Sequence, residues 1–272
     1  MKKVVASGMI GNGLEWYDYA LYGQMAALLG TLFFPKGDAG VQLLLTFGVF
    51  AAGFLARPLG AVLFGWIGDR YGRKAAMVLA VLLMAIPTGC IGLLPTYAEV
   101  GLLAPVLLTI IRLLQGLSLG GEFAGSIAYI VEHAPANRRG WAGSASLVSL
   151  IIGFLLGSLV VNALLGAMGR EAFEAWGWRL PFLGGIVIGL VGFYIRRCCE
   201  ESPVYEAAKK DNKISKTPVR VAFSRHPWQM VQGFALYMTV TMPFYLASVY
   251  FISFSENHLG TSMEAGLRFN DY

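Results

Sequence analysis

The sequence predicts an all-helical protein that crosses a membrane several times. Its mean hydropathy is +0.61, and 56% of its 272 residues are hydrophobic while only 14% are charged. A soluble domain carries roughly 25% charged residues, so this composition excludes a soluble enzyme. Apolar runs of the length needed to cross a bilayer as a helix recur along the chain. They lack the alternation of barrel strands, which leaves helices as the predicted spans.

Seven apolar runs of this kind are present, and they lie at residues 6–32, 43–67, 75–95, 101–129, 143–167, 178–196 and 228–254. A polar segment at 197–227 separates the sixth run from the seventh. It is the predicted boundary between a six-helix half at 1–196 and the first helix of a second half at 228–254. The tail at 255–272 is polar, and the missing eighth run predicts a C-terminally truncated chain.

The distribution of Lys and Arg predicts how the helices are oriented. With a cytoplasmic N-terminus, fifteen of these residues fall in inside segments and three, Lys36, Arg170 and Arg179, fall outside. Basic residues favour the cytoplasmic side, so the N-terminus and the 197–227 segment are predicted to be cytoplasmic. The sixth run is short, and we expect Arg179 and Arg196 at its ends to extend their side chains to the membrane surfaces. The basic residues form no single stripe of the kind that binds nucleic acid.

Ionisable residues inside membrane helices are costly, and each is therefore a functional hypothesis. The first predicted helix carries Glu15 and Asp18, the second Arg57, and the fourth Arg112 and Glu122. The first and fourth helices are three apart, as a three-plus-three repeat predicts for helices that line a cavity. From the rise per residue, Asp18 and Arg112 are placed at depths where they can meet. The alternative is that these charges form internal ion pairs that only lock helices together.

A polar stripe follows one face of the fourth predicted helix, and it comprises Arg112, Gln115, Leu119, Glu122 and Ser126. Together with the carboxyls of the first helix, it predicts a polar-lined central cavity. Burial makes a carboxyl easier to protonate, so Glu15, Asp18 and Glu122 are the candidates for proton coupling. A guanidinium binds a carboxylate through two parallel hydrogen bonds, which makes Arg112 the candidate for a solute carboxylate.

A short basic motif joins the second and third predicted helices, and it reads Gly65-Trp66-Ile67-Gly68-Asp69-Arg70-Tyr71-Gly72-Arg73-Lys74. It predicts a close helix crossing at Gly65, a turn at Gly72 and a carboxylate, Asp69, that lies on another helix's N-terminus. This spacing resembles the signature loop of the major facilitator superfamily.

Further motifs narrow the resemblance to one branch of that superfamily. They are Gly11-Asn12-Gly13-Leu14-Glu15-Trp16-Tyr17-Asp18, Arg57-Pro58-Leu59-Gly60, the run from Gln115 to Glu122 and the run from Trp176 to Phe182. Two other motifs resemble those of the superfamily as a whole, and they are Arg112-Leu113-Leu114-Gln115-Gly116 and Glu132 seven residues before Arg139. Residues 8–255 resemble the metabolite:proton symporters, which include proline/betaine, α-ketoglutarate, citrate and shikimate permeases. The resemblance implies the N-terminal six-helix half of a major facilitator fold plus helix 7.

The resemblance also implies a function, which is proton-coupled symport across a bacterial inner membrane. The expected solute is small and zwitterionic or carboxylated, with proline or betaine first and an organic acid such as α-ketoglutarate or citrate second. The expected partners are this solute, a proton, membrane lipid and a missing C-terminal half, with no cofactor, metal or nucleic acid. The implied roles are substrate binding for Arg112, Gln115, Asn12 and Trp16, proton coupling for Asp18, Glu15 and Glu122, and gating for Gly65, Asp69, Arg70, Gly72, Arg73, Lys74, Glu132, Arg139 and Arg57.

Two other functions are considered. Residues Gly116 to Gly120 fit the Gly-x-Ser-x-Gly pattern of serine hydrolases, but His133, His226 and His258 fall at or outside helix ends. Ser118 therefore lacks a base at its depth, and we expect no enzyme. The remaining alternative is a non-transporting truncated product or a membrane sensor built on a transporter half.

Overall fold

The computed structural model describes residues 2–211 and 218–245, and its regular elements within these ranges are helices. The helices are α1 (Lys2–Gln24), α2 (Ala26–Phe33), α3 (Ala39–Tyr71), α4 (Arg73–Leu93), α5 (Tyr97–Val100), α6 (Leu103–His133), α7 (Arg139–Met168), α8 (Arg170–Ala172), α9 (Arg179–Arg197), α10 (Pro203–Lys210), α11 (Pro218–Arg225) and α12 (Pro227–Tyr245). A 3₁₀ turn, Ala136–Arg138, precedes α7, and a π-helical segment, Phe173–Gly177, precedes α9.

The predicted runs correspond to these helices with shifted ends. The first run is divided at Met25 into α1 and α2, and the next five runs correspond to α3, α4, α6, α7 and α9. The α3 helix begins at Ala39, four residues before its apolar run, because the Asp38 carboxylate accepts a 3.0 Å hydrogen bond from the Val41 N–H. The last part of the seventh run, residues 246–254, and the polar tail at 255–272 lie outside the described residues.

Five helical stretches of the described residues are long and apolar enough to cross a membrane, and they are α3, α4, α6, α9 and Ala136–Met168. The α1 helix has 23 residues but is not among them. Its polar residues, Asn12, Glu15 and Asp18, lower its hydropathy, and all three are buried between neighbouring helices. Polarity in α1 therefore reflects its place inside the bundle, where its side chains meet protein in place of lipid.

Residues 1–216 form one compact unit, and its helix pairs support the predicted three-plus-three repeat. The main pairs are α1 with α7, α3 with α6, α4 with α9, α4 with α6, and α1 with α9. We number α1, α3, α4, α6, α7 and α9 as membrane helices 1 to 6, so that helices 1, 2 and 3 have helices 4, 5 and 6 as their counterparts. When each helix is replaced by its counterpart, the pair of helices 1 and 5 becomes the pair of helices 4 and 2, which is also present. The pair 3–4 likewise corresponds to 6–1. The two halves of the unit thus pack by the same scheme.

Glycines bring helices close together in two pairs that correspond under this exchange, α3 with α6 and α7 with α1. A Cβ added at Gly60 of α3 would lie 2.0 Å from the Leu117 carbonyl oxygen of α6, and one at Gly153 of α7 would lie 2.1 Å from the Gly13 carbonyl oxygen of α1. Neither crossing tolerates a side chain at that point. The Gly153-x-x-x-Gly157 stripe of α7 is therefore a packing face, since Gly157 also lies against Tyr17 of α1.

The short α5 helix begins with a capping box. The Glu99 carboxylate accepts hydrogen bonds from the Thr96 N–H at 2.6 Å and from the Thr96 hydroxyl at 3.0 Å. These two bonds favour the charged carboxylate and lower the pKa of Glu99. Residues 217–272 form a separate compact unit, whose described part comprises α11 and α12.

Candidate functional site

Asp18 of α1 and Arg112 of α6 form a buried ion pair at the centre of the first unit. Their side chains are 0% and 3% exposed, and the Arg112 Nη1 donates to Asp18 Oδ2. Asp18 Oδ1 accepts a 3.0 Å hydrogen bond from the Gln115 Nε2 and a 3.2 Å bond from the Thr88 hydroxyl of α4. Gln115 also donates to the Thr88 hydroxyl at 2.8 Å. The predicted meeting of Asp18 and Arg112 therefore occurs, and Gln115 and Thr88 join it.

Arg112 has donors that this ion pair does not use. Its guanidinium carbon lies 3.9 Å from the centroid of the Tyr22 ring, so one face stacks on an aromatic surface. Its Nε and Nη2 are buried and have no hydrogen-bond partner among the described residues. These two N–H groups lie on one edge of the guanidinium, the edge that binds a carboxylate through two parallel bonds. The Gln115 Oε1 nearby is buried and unpartnered in the same sense.

Asn12 and Trp16, the other two predicted substrate ligands, lie on the same helix as Asp18. The Asn12 side chain is fully buried, and its Nδ2 donates a 3.0 Å hydrogen bond to the Ser126 hydroxyl of α6. Its Oδ1 has no partner among the described residues. Trp16 is half-buried and packs edge-on against Tyr19 at 5.8 Å between ring centroids.

Glu15 pairs with Arg57 of α3, beside a group of aromatic rings. The Arg57 Nη2 donates a 2.8 Å hydrogen bond to Glu15 Oε1, and the two side chains are 30% and 6% exposed, respectively. The Arg57 guanidinium lies over the rings of Phe54 and Tyr19, at 4.3 and 5.5 Å from their centroids. Compared with the Asp18–Arg112 and Glu122–Arg196 pairs, whose side chains are at most 3% exposed, this pair has a partly open side chain.

Glu122 of α6 pairs with Arg196 near the C-terminal end of α9. The two side chains are 3% and 1% exposed, and Arg196 makes two hydrogen bonds to the Glu122 carboxylate, one of them 2.9 Å long. Arg196 also donates to the carbonyl oxygens of Ser7, at 2.9 Å, and Met77. The expectation that Arg196 extends to the membrane surface is therefore wrong, because a buried carboxylate and two carbonyls hold it inside. Arg179 likewise donates to the Gly92 and Leu94 carbonyls, at 3.0 and 2.7 Å.

The polar stripe of α6 does not face an open cavity in this unit. Arg112, Glu122 and the facing Asp18 are each at most 3% exposed. The polar-lined central cavity predicted from the sequence is therefore not what surrounds these charges among the described residues. Each charge is paired across a helix interface, which removes the reason for it to remain open to water. The internal ion pairs considered from the sequence are what the structure contains.

The basic motif after α3 forms a network of polar contacts at one end of the bundle. Arg73 pairs with Asp69 at 2.7 Å and lies 3.6 Å from Glu132 of α6. Glu132 also accepts a 2.5 Å hydrogen bond from the Ser202 hydroxyl, which lies at the start of α10. The Arg70 carbonyl accepts a 2.9 Å bond from the Tyr205 hydroxyl of α10, and its guanidinium packs near Trp66 and Tyr71. Arg139 is exposed at the start of α7.

Two details of this motif differ from the prediction. A Cβ added at Gly65 meets no described atom within 4 Å, so the close crossing predicted there is wrong, and it occurs at Gly60 one turn and a half earlier. Asp69 pairs with Arg73, four residues later in the chain, and not with the N-terminus of another helix. The carboxylate at the N-terminus of α4 is that of Glu201, which accepts a 3.1 Å hydrogen bond from the Lys74 N–H. The turn at Gly72 is confirmed by its φ of 109°.

Burial and charge act together on Tyr205, which packs against this motif. Loss of water contact, together with the nearby Glu201 carboxylate, raises the pKa of the Tyr205 hydroxyl. The hydroxyl therefore stays protonated over the whole physiological pH range and donates its hydrogen bond to the Arg70 carbonyl oxygen.

Sequence reasoning missed Thr88, Arg196 and Glu201 as members of these networks. Thr88 is the only residue with a polar side chain in the run 75–95, and that isolation was a usable signal. Arg196 stands beside Arg197 at a helix end, where basic residues are expected for another reason. The described residues contain no group of three His, Cys, Asp or Glu side chains able to hold a metal ion.

Residues 4–224 match the family described as sugar (and other) transporter. A glycine betaine/proline/ectoine/pipecolic acid transporter of Dickeya dadantii is 37% identical, over 95% of this chain and 55% of that protein. The proline/betaine transporter of Salmonella typhimurium is 34% identical over 98% and 55%, and a putative proline/betaine transporter of Staphylococcus aureus is 44% identical over 80% and 46%. The chain spans about half the length of the curated relatives it matches.

Solved structures of a bacterial transporter share the fold. The xylose transporter XylE from E. coli, in a partially occluded inward-open conformation, matches with a TM-score of 0.67 and 20% identity over 93% of this chain and 62% of that one. The major facilitator superfamily proton:xylose symporter XylE, bound to 6-bromo-6-deoxy-D-glucose, matches with a TM-score of 0.68 and 19% identity over 97% and 64%. This likeness confirms the predicted all-helical polytopic fold.

Proposed function

This chain belongs to the sugar (and other) transporter family within the major facilitator superfamily, and we propose that it forms half of a proton-coupled transporter for a small zwitterionic solute. It is a multi-pass membrane protein, and the relatives it matches are transporters and not enzymes. Their names include proline and betaine, which supports a compatible solute as the cargo. The single observation that carries the proposal is the free carboxylate-binding edge of Arg112.

In this proposal, Arg112 binds the solute carboxylate through its Nε and Nη2. The Gln115 Oε1 and Asn12 Oδ1, both buried without a partner among the described residues, are the further polar atoms that this proposal assigns to solute binding. Trp16 contributes an aromatic wall on the α1 side. A buried polar atom without a partner costs free energy, which a ligand that completes its hydrogen bonds recovers. Because Arg112 is only 3% exposed, helix movement is needed for entry, as alternating access requires.

Asp18 is the carboxyl that we assign to the coupled proton, with Glu15 as the second candidate. A solute carboxylate on the free edge of Arg112 shares this guanidinium with Asp18, for which Arg112 is the one cationic partner among the described residues. A buried carboxylate that shares its counter-ion with a second carboxylate is favoured to bind a proton. Solute and proton therefore enter the same site together. Glu122 is the third candidate for the proton. It accepts two hydrogen bonds from Arg196, and we assign it a structural role.

The motif network is assigned to gating. The residues of this network lie at an end of the bundle and not around Arg112, and they are Gly65, Asp69, Arg70, Gly72, Arg73, Lys74, Glu132 and Arg139. The contacts of Arg73 with Asp69 and Glu132 join α3, α4 and α6, so they favour the arrangement in which these helix ends are closed. In a protein that includes a second half, Asp69→Asn is expected to lower the transport rate while leaving solute affinity unchanged. A selective loss of affinity would refute this assignment.

The membrane and the orientation are part of the proposal. We place the chain in a bacterial inner membrane with its N-terminus and the 197–227 segment in the cytoplasm, from the excess of basic residues in the inside segments. The transporter needs a second six-helix half, supplied by further sequence or by a second copy, since relatives are about twice as long.

The test of the proposed function is equilibrium binding of proline and glycine betaine to the chain in lipid nanodiscs. Arg112→Lys keeps the positive charge but loses the two-bond edge, and it is expected to weaken binding about tenfold or more. Arg170→Lys is the matched control, because that exposed arginine pairs only with Glu174 on the surface and its substitution should leave affinity unchanged. Unaltered affinity in Arg112→Lys would reduce Arg112 to a structural ion pair and overturn the proposed site.

A further inference from the structure

We propose that four rings beside the Arg112 site form a subsite for the positively charged nitrogen of the solute. The rings are those of Trp16, Tyr19, Phe50 and Phe54, and we call them the aromatic cluster. The inference rests on the proposed function and assigns the chemical class of the cargo: a zwitterion whose cation is an ammonium, best a methylated one. The Arg57 guanidinium occupies this subsite in the present structure and is displaced when the solute enters.

The aromatic cluster is contiguous between α1 and α3. Tyr19 lies 5.8 Å from Trp16, 5.2 Å from Phe50 and 5.9 Å from Phe54, between ring centroids. Phe50 and Phe54 are 5.3 Å apart and meet edge to face. Ring faces attract cations, and cages of aromatic side chains are a common way for proteins to bind quaternary ammonium groups.

A cation already lies on two of these rings, which shows that the cluster accepts one. The Arg57 guanidinium is 4.3 Å from the Phe54 centroid and 5.5 Å from the Tyr19 centroid. Glu15 lies on its other side, with 2.8 Å between Arg57 Nη2 and Glu15 Oε1. An ammonium in the same position would have the same ring faces and the same carboxylate beside it.

Arg57 is held loosely for a charged residue inside a membrane helix. It makes one hydrogen bond, to Glu15, and its Nε has no partner among the described residues. Arg196, by contrast, donates to two backbone carbonyls and makes two bonds to its carboxylate. The next residue is Pro58, which has no N–H for the Phe54 carbonyl and so weakens α3 at this turn. With 30% of its side chain exposed, Arg57 has a route out of the cluster.

The cluster is adjacent to the Arg112 guanidinium, whose free edge the proposed function assigns to the carboxylate. The Arg112 guanidinium carbon lies 5.7 Å from the Phe50 centroid, and Phe50 stacks on Tyr22 at 5.2 Å. A small zwitterion with its carboxylate on Arg112 therefore places its cation toward Phe50 and the rest of the cluster. An organic acid without a cation leaves this second contact unused, so the geometry favours betaine-like cargo over citrate-like cargo.

The test compares two ligands of equal shape and different charge. Glycine betaine and 3,3-dimethylbutyrate share a carboxylate and a three-methyl head, but only the first carries a positive charge on that head. Titrated into the chain in nanodiscs, glycine betaine is expected to bind about tenfold more tightly than the neutral analogue. Phe54→Leu is expected to remove most of this difference by weakening glycine betaine alone. Arg57→Gln is expected to tighten glycine betaine several-fold, because no resident cation then has to leave.

The control is Phe47→Leu, since Phe47 is on the same helix, is 45% exposed against 42% for Phe54, and lies outside the aromatic cluster. It should leave both affinities unchanged. Equal loss of both ligands in Phe54→Leu would overturn the subsite and leave the proposed function standing. A fall in glycine betaine affinity in Arg57→Gln would overturn the displacement of Arg57. Failure of wild-type chain to bind either compound would overturn the proposed function as well.

Discussion

Removal of the Arg196 guanidinium is expected to be among the most destabilising single changes in the bundle. Arg196→Met keeps the apolar stem and deletes the charge, which leaves the Glu122 carboxylate, 3% exposed, without a counter-ion. The Ser7 and Met77 carbonyls lose a donor as well. Breaking a buried ion pair from one side costs about 3–5 kcal/mol, since one charge stays buried and uncompensated. We expect a loss of unfolding free energy of that size.

The backbone of α1 makes this pair hard to rearrange. A Cβ added at Gly11 would lie 1.9 Å from Glu122 Oε1 and 2.2 Å from Arg196 Nη2, so the ion pair fills the space against the helix. On the side of α1, therefore, no room remains for the freed carboxylate to move. Removal of both charges, in Arg196→Met with Glu122→Met, is expected to restore much of the loss, because two apolar side chains need no partners.

The assay is reversible unfolding in mixed detergent micelles, followed by tryptophan fluorescence, for the wild type, both single variants and the double variant. Arg170→Met is the control, because its pair with Glu174 is on the surface with side chains 86% and 46% exposed, and no measurable change is expected. A loss below about 1 kcal/mol in Arg196→Met, or a double variant no more stable than that single variant, would refute the reasoning.

Three further predictions concern topology, packing and pH. A membrane-impermeant thiol reagent should label Lys36→Cys from outside the cell and Lys210→Cys only after the membrane is opened, and the opposite pattern would reverse the proposed orientation. Gly60→Val should destabilise the bundle by about 1–3 kcal/mol because its side chain meets the α6 backbone, whereas Gly65→Val should change unfolding by less than about 0.5 kcal/mol; equal effects would contradict the α3–α6 crossing. The capping box of α5 should protect the backbone amides of this helix from hydrogen exchange above pH 4.5, the ordinary pKa of Glu99. This protection should be lost as the pH falls through the lower pKa that Glu99 has in the folded protein. In Glu99→Gln, the hydrogen-exchange rate should show no such step with pH.

The contact of Asp18 with Arg112 was predictable because regular helices fix depth. With 1.5 Å of rise per residue, the position of a residue in its apolar run gives its depth, and two opposite charges at one depth in lipid have strong reason to pair. In a three-plus-three repeat, helices three positions apart have corresponding neighbours, and this correspondence then indicates which helices pack together. Helix count and the polar faces of α1 and α6 follow from the same reasoning.

The partners of Glu122 and of the α4 N-terminus were not predictable in the same way. Arg196 is at a helix end, where a basic side chain is expected to extend to the membrane surface. Only the packing of neighbouring helices turns this side chain into the bundle. Glu201 reaches Lys74 across 127 residues of chain, from a polar segment whose path has no periodicity to read. The crossing at Gly60 and not Gly65 depends on the register of two packed helices, which composition does not set.

The proposed coupling of solute and proton at one ion pair rests on two features of the structure. Among the described residues Asp18 pairs with one cation, Arg112, and that arginine has one free edge. A carboxylate bound at this edge weakens the hold of Arg112 on Asp18, and the buried Asp18 then takes a proton from the solution. Binding of the solute should therefore change the number of protons on the protein.

The most direct measurement is the pH change of a weakly buffered nanodisc solution of the chain when glycine betaine is added. The account predicts uptake of about one proton for each solute bound near neutral pH. Asp18→Asn should bind the solute without this uptake, while Glu122→Gln should keep it. Solute binding with no proton uptake in the wild type, or uptake that persists in Asp18→Asn, would contradict the assignment of coupling to the Asp18–Arg112 pair.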